Sequence, residues 1–262
     1  MSRLPRPRRF LPTLAVAIAL LAVPASASAV ATLGPGPDLP TASKVVIGHS
    51  VLGRRITAYR YGEHDSPRKA LVVGNIHGDE PQGLRVIRTI RSMRARIHGM
   101  DLWVIDTVNP DGLRARLRQN AHGVDLNRNF GRKWRRNGSP GARYYGGRKP
   151  FSEPETRAVR DLVSRLRPAV TIWYHQPYGF VFPPGAGGSL GIVRDYAQLT
   201  GNAVRDTTGI EYTGTATMWQ AAVVPGSTAF VVELPAYSLP QRRIARHARA
   251  ALRVTQLGAK AR

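Results

Sequence analysis

Three apolar runs, each closed by a polar residue, constrain this chain most. "KALVVGNIH" ends at His77, "AVTIWYH" ends at His175, and "TAFVVEL" carries Glu233. Short runs rich in Val, Ile and aromatic residues read as strands buried on both faces. Stretches of helical spacing lie between them. Residues 82–97 repeat through Leu84, Ile87, Ile90 and Met93. "SEPE" at 152–155 pairs Ser152 with Glu155 as a capping box ahead of a helix ending near Pro168. Residues 189–206 and 240–257 complete the helices. "KVVIGHSVLGRRITAYRYG" predicts two strands joined around "GHSVLG", and "LWVIDTVNP" predicts another. Strands alternating with helices make an α/β sheet with helices on both faces. There is no internal repeat.

Ligand sites in such sheets gather beyond the carboxyl ends of the strands. Parallel neighbours would therefore bring His77, His175 and Glu233 to one rim. The turn "GNIHGDEP" adds Glu80, three residues after His77. A lone histidine at a strand end is more often a capped turn or a hydrogen-bonded core residue. Two histidines and two glutamates sharing the placement point to a metal. The chain has no cysteine, so a metal site must be made of His, Asp and Glu. Zinc takes tetrahedral nitrogen and oxygen ligands, and a catalytic zinc keeps one position for water. His77, Glu80 and His175 supply two imidazoles and one carboxylate. Glu233 then remains as the carboxylate that takes a proton from water.

"LRQNAHGVDLNRNF", residues 117–130, places Arg118, Asn120, Asp125, Asn127, Arg128 and Asn129 in a loop-like region. A solvated loop can be this polar. Beside a catalytic metal, however, a guanidinium offers a planar fork of donors for a carboxylate. A second arginine can meet the oxyanion that forms on an attacked carbonyl.

"HGDE", "NPDG", "GVDLNRNF", the strand-end "YH" and "VVEL", in that order, resemble the zinc carboxypeptidases of the M14 family over residues 44–256. The short H-x-x-E is weak by itself, whereas "GVDLNRNF" and the ordered set are specific. The resemblance implies one zinc held by His77, Glu80 and His175, with Glu233 as general base. It implies Arg118 as the oxyanion-stabilising arginine, and Asn127 with Arg128 as the pair that holds a terminal carboxylate. It also implies a mixed, mostly parallel eight-stranded sheet flanked by helices. "IGHSVLGRRI", "HGDEPQG", "RQNAHGVDLNRNF" and "YHQPYG" are similar to the bacterial murein peptide amidases, which cut between γ-D-glutamate and meso-diaminopimelate in wall peptides. Many family members carry a mobile tyrosine ahead of the base. Tyr212 is nearest to that position but needs a gap to reach it, so it is either that tyrosine or a loop aromatic. Near Thr217, Met218 and Trp219 the family usually reads the substrate side chain.

The first 29 residues have the layout of a secretory signal peptide. Arg3, Arg6, Arg8 and Arg9 precede the apolar run "LPTLAVAIALLAV", and Ala25, Ala27 and Ala29 follow it. Cleavage after Ala27 or Ala29 fits. A retained membrane anchor is the rival, disfavoured by the short run. Arg8-Arg9 matches twin-arginine export poorly. Residues 30–43, rich in Pro and Gly, read as a linker or extended arm, and 44–262 as one catalytic domain. Removing the leader's four arginines from the formal charge of +23 leaves +19. Such a charge favours anionic surroundings. Export makes anionic envelope polymers a better partner than nucleic acid, and the arginines are scattered rather than gathered in one arm. The expected location is outside the cytoplasm: secreted, periplasmic or attached to the wall, with no membrane span after cleavage.

Of the remaining histidines, His98 reads as a helix C-terminal cap, His64, His122 and His247 as surface residues, and His49 as part of a turn. Asp79 either orients His77 or belongs to the turn. Two rival functions stay open. One is hydrolysis of another substrate, by a general carboxypeptidase or an N-acyl amino-acid deacylase. The full "GVDLNRNF" with a separate Arg118 weakens the deacylase. The other is a non-catalytic polyanion-binding protein, which would need a broken site.

Overall fold

A computed structural model describes residues 30–33, 38–41, 43–207 and 209–258. The expected signal peptide lies outside the described residues. The strands are β1 (Val30–Thr32), β2 (Lys44–His49), β3 (Arg55–Gly62), β4 (Lys69–Val73), β5 (Asp101–Ile105), β6 (Val170–His175), β7 (Phe180–Val181), β8 (Ala203–Val204) and β9 (Thr228–Glu233). The helices are α1 (Gln82–Ser92), α2 (Pro110–Ala115), α3 (Pro154–Leu166), α4 (Leu190–Thr200), α5 (Ala216–Val223) and α6 (Gln241–Gly258).

The strands form one mixed sheet in the order β1-β2-β3-β5-β4-β6-β9-β7-β8. Its centre is parallel: β5, β4, β6 and β9 run side by side in one direction. The antiparallel pairs are β2 with β3, β3 with β5 and β9 with β7. The sheet has nine strands rather than the eight expected. Three of the nine are very short: Val30–Thr32 beside β2, and the two-residue β7 and β8 at the far edge.

Alternation along the central strands builds a core on each face. Val72, Ile172, Tyr174 and Val232 face α1, α4 and α6. Leu71, Val73 and Trp173 face the other way, into a core shared with α3 and Trp219 of α5. Leu71, Val72, Ile172 and Val232 are fully buried, and burying such a side chain stabilises by about 1.5–3 kcal/mol.

Several local expectations gave way to tertiary contacts. The helix over 82–97 stops at Ser92, and a single 3-10 turn covers Arg94–Arg96. The backbone at Ile97 is extended, which drops its side chain into the core under α1. The capping box at Ser152 does not form, because Glu153 is the N-cap residue and makes no side-chain cap bond. Ser152 Oγ instead donates to Glu153 Oε1, and Glu155 accepts from the Val51 N–H and from Asn120. The helix over 189–206 ends at Thr200, where Gly201 adopts a left-handed conformation (φ 71°). Glycine is the usual residue for that stop.

His247 is buried rather than on the surface. Its Nδ1 lies 2.8 Å from Tyr196 Oη, which lies 3.0 Å from Tyr174 Oη. Burial, reinforced by Arg243 and Arg246, pushes its pKa down to about 4. No helix among the described residues is long and apolar enough to cross a membrane.

Candidate metal centre

The parallel register sets the site. His175 ends β6 directly beside Glu233, which ends β9. The next strand on the other side of β6 is β4, and its continuation, residues 74–81, carries His77 and Glu80. That loop is held from below by Asn75, which is fully buried. Its Nδ2 donates to the carbonyls of His77 (2.5 Å) and Glu80 (3.1 Å), and its Oδ1 accepts from Thr107 Oγ1 (2.7 Å). Gly78 of the same loop presses on Gly112 at the start of α2. A Cβ there would lie 1.9 Å from the Gly112 carbonyl carbon. So "HGDE" needs glycine where its backbone touches Gly112, and "NPDG" needs glycine because a Cβ on Gly112 would lie 2.4 Å from Asn109 Nδ2 and 2.5 Å from the Gln119 carbonyl oxygen.

His77, Glu80 and His175 are buried, and one ligand atom from each lies within 4.8 Å of the others. His77 Nδ1 is 2.8 Å from Glu80 Oε1, and His175 Nδ1 is 2.8 Å from Glu80 Oε2. The two Nδ1 atoms are 3.1 Å apart. Asp125 Oδ1 lies 3.0 Å from His77 Nε2, so that nitrogen carries its proton and Nδ1 presents a lone pair inward. This lone pair faces a carboxylate oxygen and a second ring nitrogen. No single proton on Nδ1 suits both those neighbours and Arg118 Nη1, which donates from 3.1 Å. A cation satisfies all the inward-facing lone pairs at once. Two imidazoles and a carboxylate are a ligand set that zinc accepts, so these residues fit the metal.

Electrostatics agree with that reading. Burial opposes a charge on His77, but Glu80 and Asp125 outweigh it and hold its pKa above the ordinary value. Burial would raise Glu80 and Asp125, yet their cationic neighbours hold both well below the usual carboxylate range. At His175 burial wins over Glu80 and keeps the ring neutral more readily than usual. The centre therefore attracts positive charge with its carboxylates already ionised.

Asp125 is the residue that sequence reasoning left without a role. Its Oδ1 holds His77, and its Oδ2 receives Arg118 through Nε (3.0 Å) and Nη2 (2.8 Å). Arg118 Nη1 reaches Glu80 Oε1 at 3.2 Å. Asp79, the partner considered for His77, is exposed and belongs to the turn. The pointer to Asp125 in the sequence was its place between Arg118 and the Asn127-Arg128 pair in one polar loop.

A cavity of about 320 Å³ opens over the centre. It is lined by the eight residues given ligand, catalytic or substrate-holding roles from the sequence: His77, Glu80 and His175, with Arg118, Asn127, Arg128, Tyr212 and Glu233 around them. Asn127 Oδ1 accepts from the Ala216 N–H (3.0 Å), which leaves its NH2 for the cavity. Arg128 Nη1 donates to the Asn127 carbonyl (2.7 Å). Tyr212 is half-buried and packs edge-on against Phe182, ring centres 5.7 Å apart. Thr217 and Met218 line the cavity, whereas Trp219 turns into the core against Phe130 and Phe151.

Glu233 stands apart from the ligands electronically. Its Oε2 is buried and has no hydrogen-bond partner among the described residues. Burial, and then the charge of Glu80, push its pKa up to about 8. A carboxyl group that gains a proton near neutral pH, in a cavity beside a metal centre, suits proton transfer.

The zinc carboxypeptidase family model, peptidase M14, matches residues 38–185, more than half of the chain. This chain belongs to the zinc carboxypeptidase family. The family consists of zinc-dependent hydrolases, and the mixed sheet with flanking helices is its fold. Murein peptide amidase A of Escherichia coli K12 is 34% identical over 134 residues, 45% of this chain and 53% of that protein. The Vibrio campbellii murein peptide amidase A is 31% identical over 149 residues, 52% and 59% of the two chains. The chain thus spans between half and three-fifths of the length of these curated relatives. The crystal structure of murein-tripeptide amidase from Escherichia coli O157 superposes with a TM-score of 0.65 at 25% identity, covering 84% of this chain and 93% of that one. Carboxypeptidase A of Helicoverpa armigera shares the fold with a TM-score of 0.71 at 22% identity, covering 83% and 68%.

Proposed function

We propose that this family member is an exported zinc peptidase that hydrolyses the γ-D-glutamyl-meso-diaminopimelate amide bond of murein peptides. The convergence of His77, Glu80 and His175 with Arg118 and Glu233 in one cavity carries the hydrolytic reading. The murein substrate is supported by the likeness to murein peptide amidases and by the motifs around the ligands.

His77, Glu80 and His175 would hold the zinc, which when bound polarises a carbonyl and acidifies water. Glu233 takes a proton from the attacking water as the new C–O bond forms. It returns that proton to the amine nitrogen as the C–N bond breaks. Arg118, held in line by Asp125, donates to the carbonyl oxygen as negative charge develops there. Asn127 and Arg128 clasp a carboxylate on the leaving side, with Tyr212 beside them. With a cation on the ligands, Glu233 loses much of the repulsion from Glu80 and ionises at lower pH.

Export rests on the order of arginines, apolar run and small residues over 1–29. Binding to anionic wall polymers is supported by α6, whose exposed Arg242, Arg246, Arg249 and Arg253 share the helix with no acidic residue. Digestion of purified wall peptides with mass analysis of the products tests the substrate. Release of a fragment beginning at diaminopimelate is the expected result. Stepwise loss of C-terminal residues from ordinary peptides would replace this reading with a general carboxypeptidase. An exported form lacking residues 1–27 or 1–29 is the expected result of N-terminal sequencing.

A further inference from the structure

The cavity holds one cationic group that the mechanism above does not use. Arg143 lines it and is exposed. Its neighbour Tyr144, 47% exposed, also lines the cavity and gathers three guanidinium groups. The guanidinium carbons of Arg118, Arg128 and Arg143 lie 5.7, 5.1 and 5.7 Å from its ring centre. All three are within the range of a cation–π contact, and an arginine stacked on a ring keeps its N–H edge free for a planar anion.

The three arginines differ in what answers their charge. Arg118 is paired with Asp125 and with Glu80. Arg128 has Asp125, Tyr144 and Tyr212 near it and donates to the Asn127 carbonyl. Arg143 forms no ion pair among the described residues. The groups around it are Tyr144, Tyr178 and, at longer range, Asp79. Arg118 touches the ligand atoms of His77 and Glu80, so it marks the centre of the site. Arg128 has Asn127 and Tyr212 near it, Arg143 has Tyr178 and, at longer range, Asp79, and the Tyr144 ring contacts all three guanidinium groups. With Arg118 committed to Asp125 and Glu80, and Arg128 assigned to the leaving-side carboxylate, Arg143 is the guanidinium of the cavity left for the acyl side.

We propose that Arg143, backed by Tyr144, is a specificity residue that receives a second carboxylate, carried on the acyl side of the scissile bond. The enzyme would then favour substrates bearing an anion on each side of the bond it cuts. A γ-linked glutamyl residue has this chemistry, because linkage through its side chain leaves its α-carboxylate free. The proposal rests on the peptidase reading of the site.

The test compares matched substrate pairs on zinc-loaded parent, Arg143→Gln and Arg143→Lys proteins. The first pair is an ordinary α-linked peptide with Glu or Gln on the acyl side of the cut. The second is a γ-glutamyl wall peptide with a free α-carboxylate or its α-amide. The readout is the ratio of kcat/KM within each pair, so a general loss of folding or turnover cancels. The parent should prefer the carboxylate by about tenfold or more, mainly through KM, as for a charge-assisted hydrogen bond. Arg143→Gln should bring the ratio close to one, and Arg143→Lys should retain part of it. A parent ratio near one, or an unchanged ratio in Arg143→Gln, would overturn the role of Arg143. Cleavage of γ-glutamyl peptides without that ratio would leave the murein reading standing and remove this one. A ratio seen only with α-linked peptides would do the reverse. No hydrolysis of either pair would overturn both.

Discussion

Replacing Glu233 by Gln keeps the shape of the side chain and removes its charge, and the structure sets what each change is worth. The Glu233 carboxyl is raised from 4.5 to about 8 by burial and by Glu80. A carboxyl with a higher pKa in the folded than in the unfolded chain destabilises the fold as it ionises. Below pH 4.5 both states are protonated and there is no cost. Between pH 4.5 and 8 the folded state holds the extra proton, so stability falls as pH rises; above 8 the cost is complete. At 1.36 kcal/mol per unit, the upper limit is about 3 kcal/mol at pH 7 and about 5 kcal/mol above pH 8. Glu233→Gln removes this cost. In chelator-treated protein the variant should melt at the same temperature as the parent at pH 4.5. At pH 7 it should melt above the parent, by up to about 6–12 °C for a domain of this size. Adding zinc should narrow the gap, because the cation offsets Glu80. The zinc-loaded variant should bind substrate yet lose about a hundredfold to ten-thousandfold in kcat. Scanning calorimetry at several pH values, zinc content and wall-peptide hydrolysis on one preparation provide the readouts. Equal melting temperatures at pH 8.5 would refute the electrostatic argument, and near-parent turnover with full zinc would refute the base.

The ligand, oxyanion and clamp roles separate in other variants. His175→Ala should lose most bound zinc by elemental analysis, and full retention would remove it from the ligand set. Arg118→Ala should lower kcat by about a hundredfold or more, since its target charge exists only during attack, whereas Arg128→Ala should chiefly raise KM. Asp125→Asn should weaken zinc binding by about tenfold to a hundredfold in a competition titration, because it orients His77. Gly78→Ala puts a methyl into the Gly112 backbone and should cost about 1–3 kcal/mol in urea unfolding together with zinc content.

What was legible in the sequence was what periodicity and strand ends encode. The runs ending at His77, His175 and Glu233 became β4 with its loop, β6 and β9, and their parallel pairing follows from the alternation with helices. Contacts made across the fold were not legible. Ser152 and Glu155 have capping-box spacing, but Glu153, Val51 and Asn120 compete for them and win. His247 sits in an arginine-rich helix, yet helical phase turns it onto Tyr196 while Arg246 and Arg249 face solvent. Trp219 stands beside two cavity residues and still points into the core, because the next position on a helix points elsewhere. Asp125 and Arg143 needed the folded loop, since no local pattern says that one carboxylate will hold both a ligand and an arginine.

The order of strands has a consequence for chain length. β9 is the last strand in the sequence, yet it lies inside the sheet, between β6 and β7. A chain that stops before residue 228 leaves the edge of β6 unpaired and gives β7 nothing in the centre of the sheet to join. Such an open edge is a template for pairing with other chains. The same missing strand carries Glu233, so a truncated product could gather His77, Glu80 and His175 around a metal and still lack the group that moves the proton. Completion of the sheet and delivery of Glu233 to the cavity are thus one event in this molecule: under the hydrolytic reading proposed above, it would gain its proton-transfer group only when its own last strand is in place.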